Sequence, residues 1–190
     1  MKSRVLILVL VLVALAVSAC AQTGAVGPPG ADGAASGCPT PTEGMHLLVN
    51  EEVGYCVLYP AGLTVREHVE NQRVIEGRMT ESGQVIGIIQ VTDAGDRTLD
   101  DVVEERILWA ERSAGPAAPT IERGTIALDG QEAVVLDKMP GQDINRQIIF
   151  IREGRLYDLL FAPANEESGE VYQQMEALYT AVTTSFHFIQ

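Results

Sequence analysis

Two glycine-containing dipeptides fix how the second half of this chain can fold. Asp129-Gly130 and Glu153-Gly154 each separate two short runs that are rich in β-branched and aromatic residues. A two-residue loop is too short for a crossover helix and favours a tight hairpin, so the strands on either side must be antiparallel. We therefore predict two successive hairpins, whose four strands span residues 121–128, 131–137, 145–152 and 155–162.

Two amphipathic helices are predicted to flank these hairpins. In the first helix, Thr98 lies three residues before Asp101, which is the spacing of a capping box. Its apolar residues recur at helical period and are Leu99, Val102, Val103, Ile107 and Ala110. The helix is expected to stop at residues 113–116, which contain Gly115 and Pro116. The second helix is predicted for residues 167–183, with an apolar stripe of Val171, Met175, Leu178 and Val182.

The first half of the chain is predicted to contribute further strands. Residues 53–59 and 63–69 have strand composition and are separated by the turn residues 60–62, while residues 73–79 alternate only weakly. Residues 85–91 are almost continuously apolar, as expected of a central strand. The order of elements predicts an α+β fold, in which a mainly antiparallel sheet is covered by the two amphipathic helices as an α/β/α sandwich.

The N-terminus has the pattern of a signal peptide. Lys2 and Arg4 precede thirteen apolar residues, 5–17, a run shorter than the ~20 residues that a membrane-spanning helix needs. The next residues complete Val17-Ser18-Ala19-Cys20, which resembles the lipobox of bacterial lipoproteins. The resemblance implies cleavage after residue 19, acylation of Cys20 and attachment to a membrane on its extracytoplasmic side, in the bacterial cell envelope. The alternative is an ordinary cleaved signal with a chance cysteine at its boundary.

Residues 20–37 are predicted to be a tether that follows the lipidated cysteine. Between residues 23 and 36 the only large apolar residue is Val26, and glycine recurs at every third position from Gly24 to Gly33. Four glycine-first triplets are too few for a collagen triple helix, whereas small, polar and proline-rich composition is typical of a linker. The globular domain is then expected to span residues 38–190.

The other two cysteines, Cys38 and Cys56, are predicted to form a disulfide, because leftover cysteines outside the cytoplasm usually pair. The alternative is one buried and one exposed thiol. A zinc site that combines them with His46 is disfavoured, because the residues lack the paired spacing of zinc ligands.

The charge of the chain excludes several classes of partner. Thirteen Lys and Arg residues stand against 26 Asp and Glu residues, a formal net charge of −13. A nucleic-acid binder needs a basic face, and electrostatic docking on anionic lipid needs a basic patch, so neither is expected.

Catalysis and a bound cofactor are not expected. The chain lacks the phosphate-binding, dinucleotide-binding, serine-hydrolase and zinc-protease motifs. His46, His68 and His187 are far apart in sequence, and none lies near a serine or cysteine in a catalytic arrangement. His187 alternates with two phenylalanines and is expected to face solvent.

Two further features each have two interpretations. The acidic loop Asp93–Asp101 contains Asp93, Asp96, Asp100 and Asp101, which could bind calcium. The spacing does not match an EF-hand, and acids also stabilise a helix N-terminus, so we expect no metal there. Trp109, the only tryptophan, is expected at the helix–sheet seam, and the alternative is an exposed anchor for a partner.

Residues 54–63, with the sequence GYCVLYPAGL, resemble the opening of PsbP-like domains. Residues 156–163, a helix and residues 184–188 are similar to the end of that domain. The superfamily includes an extrinsic photosystem II subunit, a Ran-binding protein and bacterial lipoproteins. The resemblance implies an antiparallel sheet between helices, and a non-enzymatic binding or assembly module.

Together these features predict a lipid-anchored, extracytoplasmic module that binds or helps to assemble another envelope protein. The alternative is a carrier or sensor of a small ligand, held in a pocket between the sheet and a helix.

Overall fold

Across residues 37–115 and 119–189, which the computed structural model describes, the chain forms ten strands and two α-helices. The strands of the first half are β1 (Met45–Asn50), β2 (Tyr55–Pro60), β3 (Thr64–Glu67), β4 (Gln72–Glu76) and β5 (Ile86–Asp93). Helix α1 (Leu99–Ala114) is followed by β6 (Glu122–Leu128), β7 (Gln131–Met139), β8 (Asn145–Arg152), β9 (Arg155–Ala162), α2 (Glu170–Ser185) and β10 (His187–Phe188). The predicted signal peptide, Cys20 and almost all of the predicted tether lie outside the described residues.

Both predicted hairpins are present. Asp129 and Gly130 join β6 to β7, and Glu153 and Gly154 join β8 to β9. All four residues have positive φ, at 46°, 77°, 51° and 75° in chain order. Positive φ at both central residues is the property of a type I′ turn, whose twist matches that of the paired strands. The local sequence therefore sets the register of this part of the sheet.

The main sheet has seven strands in the order β3-β4-β5-β9-β8-β7-β6. Each neighbouring pair is antiparallel. β5 lies in the interior of this sheet and pairs with β9 over eight positions, from Ile86 with Ala162 to Asp93 with Arg155. The prediction that this apolar segment is a central strand is thus confirmed.

The two helices lie over opposite faces of the main sheet. α1 packs on β7 and β8, where Val103 and Ala110 join a core with Leu136, Ile149 and Leu156. α2 packs against β5 and β9 on the other face, where its apolar residues Met175 and Leu178 are fully buried. Neighbouring β8 residues such as Ile148 and Ile149 therefore enter different cores, as the alternation of side chains along a strand requires.

A second sheet was not predicted. β1, β2 and β10 form a three-stranded sheet in the order β1-β2-β10, and α2 also packs against β2. β1 has no strand pattern of its own, since His46 is exposed and only Leu48 and Asn50 are buried in it. It exists because it pairs with β2, from Met45 opposite Pro60 to Asn50 opposite Tyr55.

The predicted α+β fold, with an antiparallel sheet between helices, is confirmed. The second helix starts later than predicted, because a turn of 3₁₀ helix, Glu166–Ser168, precedes α2. In the described part of the chain, no helix is both long and apolar enough to span a membrane.

Candidate binding surface on helix α1

Helix α1 begins at the predicted capping box. The Thr98 Oγ1 atom accepts a hydrogen bond from the Asp101 backbone N–H at 3.2 Å, and the Asp101 carboxylate accepts from the Thr98 N–H at 2.9 Å. These bonds satisfy backbone donors that the first turn of a helix leaves free. The hydrogen bonds from Thr98 also hold the pKa of Asp101 below its usual value, so Asp101 stays charged at the helix N-terminus.

Two ion pairs flank the buried side of α1. On one side Arg106 Nη2 lies 2.6 Å from Asp158 Oδ2 of β9. On the other side Arg123 Nη2 of β6 lies 3.0 Å from Asp100 Oδ1. With Val103 and Ala110 fully buried between these pairs, the opposite side of the helix must face solvent.

Trp109 lies on this solvent side, so the expectation that it is buried at the helix–sheet seam is wrong. Its exposed fraction is 57%, and that of the neighbouring Leu108 is 47%. The position next to Trp109 explains the outcome, because Ala110 occupies the core and is 0% exposed. Where a helix lies close to a sheet, a small residue fits the seam, and the adjacent side chain is turned outward by about 100°.

Acidic side chains outnumber basic ones around this exposed pair. Glu104, Glu105 and Glu111 are exposed. Within the described residues, none of the three forms an ion pair at 4.0 Å or less. We define the α1 outer face as Asp101, Glu104, Glu105, Leu108, Trp109, Glu111 and Arg112. This face combines an apolar centre with a surplus of negative charge.

The acidic loop before α1 does not gather its carboxylates at one point. Asp93 Oδ1 accepts from the Gly95 N–H at 2.7 Å, whereas Asp101 caps the helix and Asp100 pairs with Arg123. Among the described residues, no group of three or more Asp, Glu, His or Cys side chains is arranged to hold a metal ion. The structure therefore favours the helix-capping interpretation of this loop.

Open grooves occur at one end of the sandwich. One groove of about 840 Å³ is lined by Arg152, Arg155, His187 and Asp129, and a neighbouring groove of about 580 Å³ is lined by Asn71, Asp93 and Glu153, among other residues. Both grooves lie among hairpin and strand ends, and charged residues of both signs line them. Neither is the pocket between sheet and helix that the ligand-carrier alternative requires.

A third groove, of about 610 Å³, borders a charged cluster around Arg146. Arg146 Nη2 lies 2.7 Å from Asp137 Oδ2, and its Nη1 lies 3.0 Å from Glu176 Oε1 of α2. The guanidinium also lies over the Tyr179 ring, 4.5 Å from its centroid. Burial disfavours the charge on Arg146, but the two carboxylates outweigh it and raise the pKa above its usual value. Because carboxylates of the sheet and of α2 lie on both sides of the Arg146 guanidinium, the cluster joins α2 to the sheet.

The predicted disulfide between Cys38 and Cys56 is present, with the two Cα atoms 5.9 Å apart. It joins the start of the described chain to β2, and it excludes the weak zinc alternative with His46, since neither sulfur is a free thiolate. Cys20, the predicted lipidation site, lies outside the described residues and stays a prediction.

His187 is half-buried rather than facing solvent as expected. Its Nδ1 atom lies 3.1 Å from Asp129 Oδ2, and the same oxygen accepts from the Phe188 N–H at 3.0 Å. Gly37 covers the other ring nitrogen so closely that a Cβ at Gly37 would lie 2.6 Å from Nε2. The imidazole therefore holds β10 in place.

No family model and no curated protein matches the chain. Among solved structures, the chain is similar to cyanobacterial PsbP (CyanoP) from Synechocystis sp. PCC 6803, with a TM-score of 0.54 and 16% sequence identity. This match covers 85% of the present chain and 99% of the other. A second similar structure is the Saccharomyces cerevisiae Ran-binding protein Mog1p, with a TM-score of 0.46, 13% identity, and coverage of 77% and 96%. The similarity to the cyanobacterial structure agrees with the residues that resemble PsbP-like domains at the two ends of the globular region, and the chain has a PsbP-like fold.

Proposed function

We propose that this protein is a lipid-anchored, non-catalytic module that binds another protein of the bacterial cell envelope through the α1 outer face. The observation that carries the proposal is the exposure of Trp109 beside Leu108 on a helix whose opposite side is firmly seated. Tryptophan at the centre of an interface contributes a large share of binding energy, and its exposure is otherwise unfavourable for solubility.

The predicted anchor fits this function. Acylation of Cys20 would hold the protein at the membrane, and the tether of residues 20–37 would let the globular domain search for a partner nearby. A fully extended tether of this length reaches roughly 60 Å. Anchoring raises the effective concentration of the domain near membrane proteins. A small interface is then enough for stable binding to such a protein.

The geometry favours binding of a protein over transport of a small ligand. A carrier needs a concave, mostly apolar site that encloses its ligand. All three grooves described above, including the one between the sheet and α2, are lined largely by charged side chains, whereas the exposed apolar residues Leu108 and Trp109 lie on the convex surface of a helix. A convex surface can enter a partner's groove but cannot enclose a small molecule.

Site-specific photocrosslinking in the native membrane tests this proposal. A photoreactive amino acid replaces Leu108 in the full-length protein, and a matched variant carries it at Gln173, an exposed position of α2. We expect one dominant crosslinked protein from position 108 and none from position 173. Equal products from both positions, or no product from position 108, would overturn the proposed binding surface.

The anchor needs a separate test. Metabolic labelling with a fatty acid should mark the wild-type protein and leave Cys20→Ala unlabelled. Unchanged labelling of Cys20→Ala would reject lipidation at this residue, whereas the crosslinking result at position 108 concerns only the globular domain.

A further inference from the structure

We propose that the α1 outer face recognises a basic segment of its partner, in which Lys or Arg side chains flank an apolar residue. This inference rests on the proposed function, because it specifies the chemistry of the protein that the same surface binds.

The spacing along the helix places the charges around the apolar centre. Leu108 lies four residues after Glu104 and three after Glu105, and Trp109 lies four residues after Glu105. Residues three or four apart are neighbours on a helix surface. Both glutamates therefore border the exposed apolar pair, and a ligand that contacts Trp109 also meets their carboxylates.

The basic residues nearby leave most of this negative charge uncompensated. Arg106 is paired with Asp158, and Arg123 with Asp100. Arg97, which precedes the helix, donates to the backbone carbonyls of Ala94 and Asp93. Arg112, the remaining basic residue of α1, borders Leu108 and Trp109 from the next turn, but its single charge cannot balance Glu104, Glu105 and Glu111 together. A partner that carries positive charge would neutralise the remaining glutamates.

Charge also favours a basic protein segment over two other binding partners, a second copy of this protein and an anionic membrane. In a symmetric dimer through this face, the same acidic patch would meet itself, and like charges would face each other. An anionic membrane surface would repel the patch in the same way. A basic protein segment is attracted by the glutamates, and its Lys or Arg groups can also lie over the Trp109 ring as a cation–π contact.

The full-length lipidated protein in neutral detergent micelles allows a direct test. Trp109 is the only tryptophan of the chain, so its fluorescence reports on this surface alone. The probe is a synthetic helical peptide with Lys on one face and Leu on the other, and its control has every Lys replaced by Glu. Glu104→Gln/Glu105→Gln removes the proposed recognition charges. Glu166→Gln/Glu167→Gln makes the same change of net charge at exposed positions elsewhere.

The Lys peptide should shift Trp109 emission to shorter wavelength in a saturable way, and the Glu peptide should not. Binding should weaken at least ~10-fold in Glu104→Gln/Glu105→Gln, and also when salt rises to about 0.5 M, where charges are screened within a few ångströms. The Glu166→Gln/Glu167→Gln variant should bind as the wild type does. Equal weakening in both double variants, or equal binding of both peptides, would overturn the inference.

The crosslinking experiment separates this inference from the proposed function. A dominant partner whose crosslinked segment is acidic or uncharged would leave the binding function standing and overturn the basic-segment inference. A crosslinked segment rich in Lys or Arg, with a yield that falls at high salt, would support both.

Discussion

Asp158 of β9 accepts a hydrogen bond from Arg106 of α1, with 2.6 Å between Oδ2 and Nη2. The Asp158 side chain is only 16% exposed, whereas that of Arg106 is 43% exposed. The aspartate lies on the sheet face that α1 covers, next to apolar core residues, so the arginine supplies the partner that its charge requires. This bond helps to hold α1 in one orientation on the sheet, and so it helps to keep the α1 outer face towards solvent.

Replacing this arginine is expected to destabilise the protein. Arg106→Ala leaves a buried carboxylate without its donor and should lower the free energy of unfolding by about 1–3 kcal/mol. Urea denaturation at pH 7 measures the change. Adding Asp158→Asn removes the unpaired charge and should recover part of the loss. A double variant as unstable as Arg106→Ala alone would contradict this explanation.

The same ion pair predicts how the stability of Arg106→Ala depends on pH. Burial raises the pKa of Asp158 above its usual value, although Arg106 opposes the shift. When the pKa of an acid is higher in the folded state than in the unfolded state, the acid favours the folded state in its protonated form. This contribution to stability is complete below the unfolded-state pKa, and it is lost as the pH rises through the folded-state pKa. The deficit of Arg106→Ala should therefore shrink between pH 7 and about pH 4, because protonation removes the unpaired charge. A constant deficit across this range would argue against a buried charge at Asp158.

Tyr55 provides a prediction at alkaline pH. The residue is 0% exposed, and its hydroxyl has no hydrogen-bond partner among the described residues. Burial raises its pKa to about 12 from the ordinary 10.0, although the neighbouring Asn50 side chain and the charge of Arg73 oppose the shift. Since the folded-state pKa is raised, stability is complete below pH 10.0 and falls as the pH rises towards 12.

Tyr55→Phe should reduce this alkaline loss by about 2–3 kcal/mol, the free energy that corresponds to the shift in pKa. At pH 7 the variant should differ from the wild type by less than about 1 kcal/mol, because no hydrogen bond is lost. Denaturation across the alkaline range measures both effects. Tyr59→Phe serves as the control, and it should change the alkaline loss less because Tyr59 is only half-buried.

Local sequence predicted those parts of the fold that depend on local interactions. The Asp129-Gly130 and Glu153-Gly154 turns and the Thr98 capping box each depend on residues within a few positions of one another, and all are present. β1 was missed because its strand character comes from pairing with β2, not from its own composition. The division into two sheets depends on contacts between distant segments, which a single sequence does not display.

The candidate surface was predicted only as an alternative, for a geometrical reason. Helical periodicity places Ala110 on the apolar stripe, seven residues after Val103, and Trp109 beside the stripe. Whether a side chain beside the stripe folds over the core or faces solvent depends on how closely the helix approaches the sheet, which the sequence of α1 does not show. The burial of His187 was also not predictable from neighbouring residues, because its partner Asp129 lies 58 residues earlier, in the loop between β6 and β7.

The Cys38–Cys56 disulfide should contribute to stability through the unfolded chain. It spans 18 residues, and closing a loop of this length corresponds to ~3 kcal/mol on the chain-entropy model. Cys38→Ala should lose about this amount, since the remaining Cys56 thiol is buried and behaves as a small apolar group. A reductant should lower the unfolding free energy of the wild type to that of Cys38→Ala, and it should not change the unfolding free energy of Cys38→Ala. Alkylation of both thiols in untreated mature protein would contradict the bridge.

A side chain at Gly87 of β5 is expected to destabilise the fold, because the buried Leu178 side chain of α2 lies close to it. A Cβ at this position would lie 2.8 Å from Leu178 Cδ2. Gly87→Ala should therefore cost about 1–3 kcal/mol of unfolding free energy. Gly124 of β6 is the matched control, because a Cβ there meets nothing within 4 Å. Gly124→Ala should change stability by less than ~0.5 kcal/mol, and equal losses at both glycines would exclude the steric explanation.

Trp109→Ala should separate binding from stability. More than half of the side chain is exposed, so its removal should cost less than about 1 kcal/mol of unfolding free energy, whereas Val103→Ala on the buried side should cost about 2 kcal/mol. Crosslinking from position 108 should be lost in Trp109→Ala and retained in Val103→Ala at a temperature where both are folded. If Trp109→Ala were as unstable as Val103→Ala and still crosslinked, the indole would be a structural residue. The α1 outer face would then lose the observation that supports it as a binding surface.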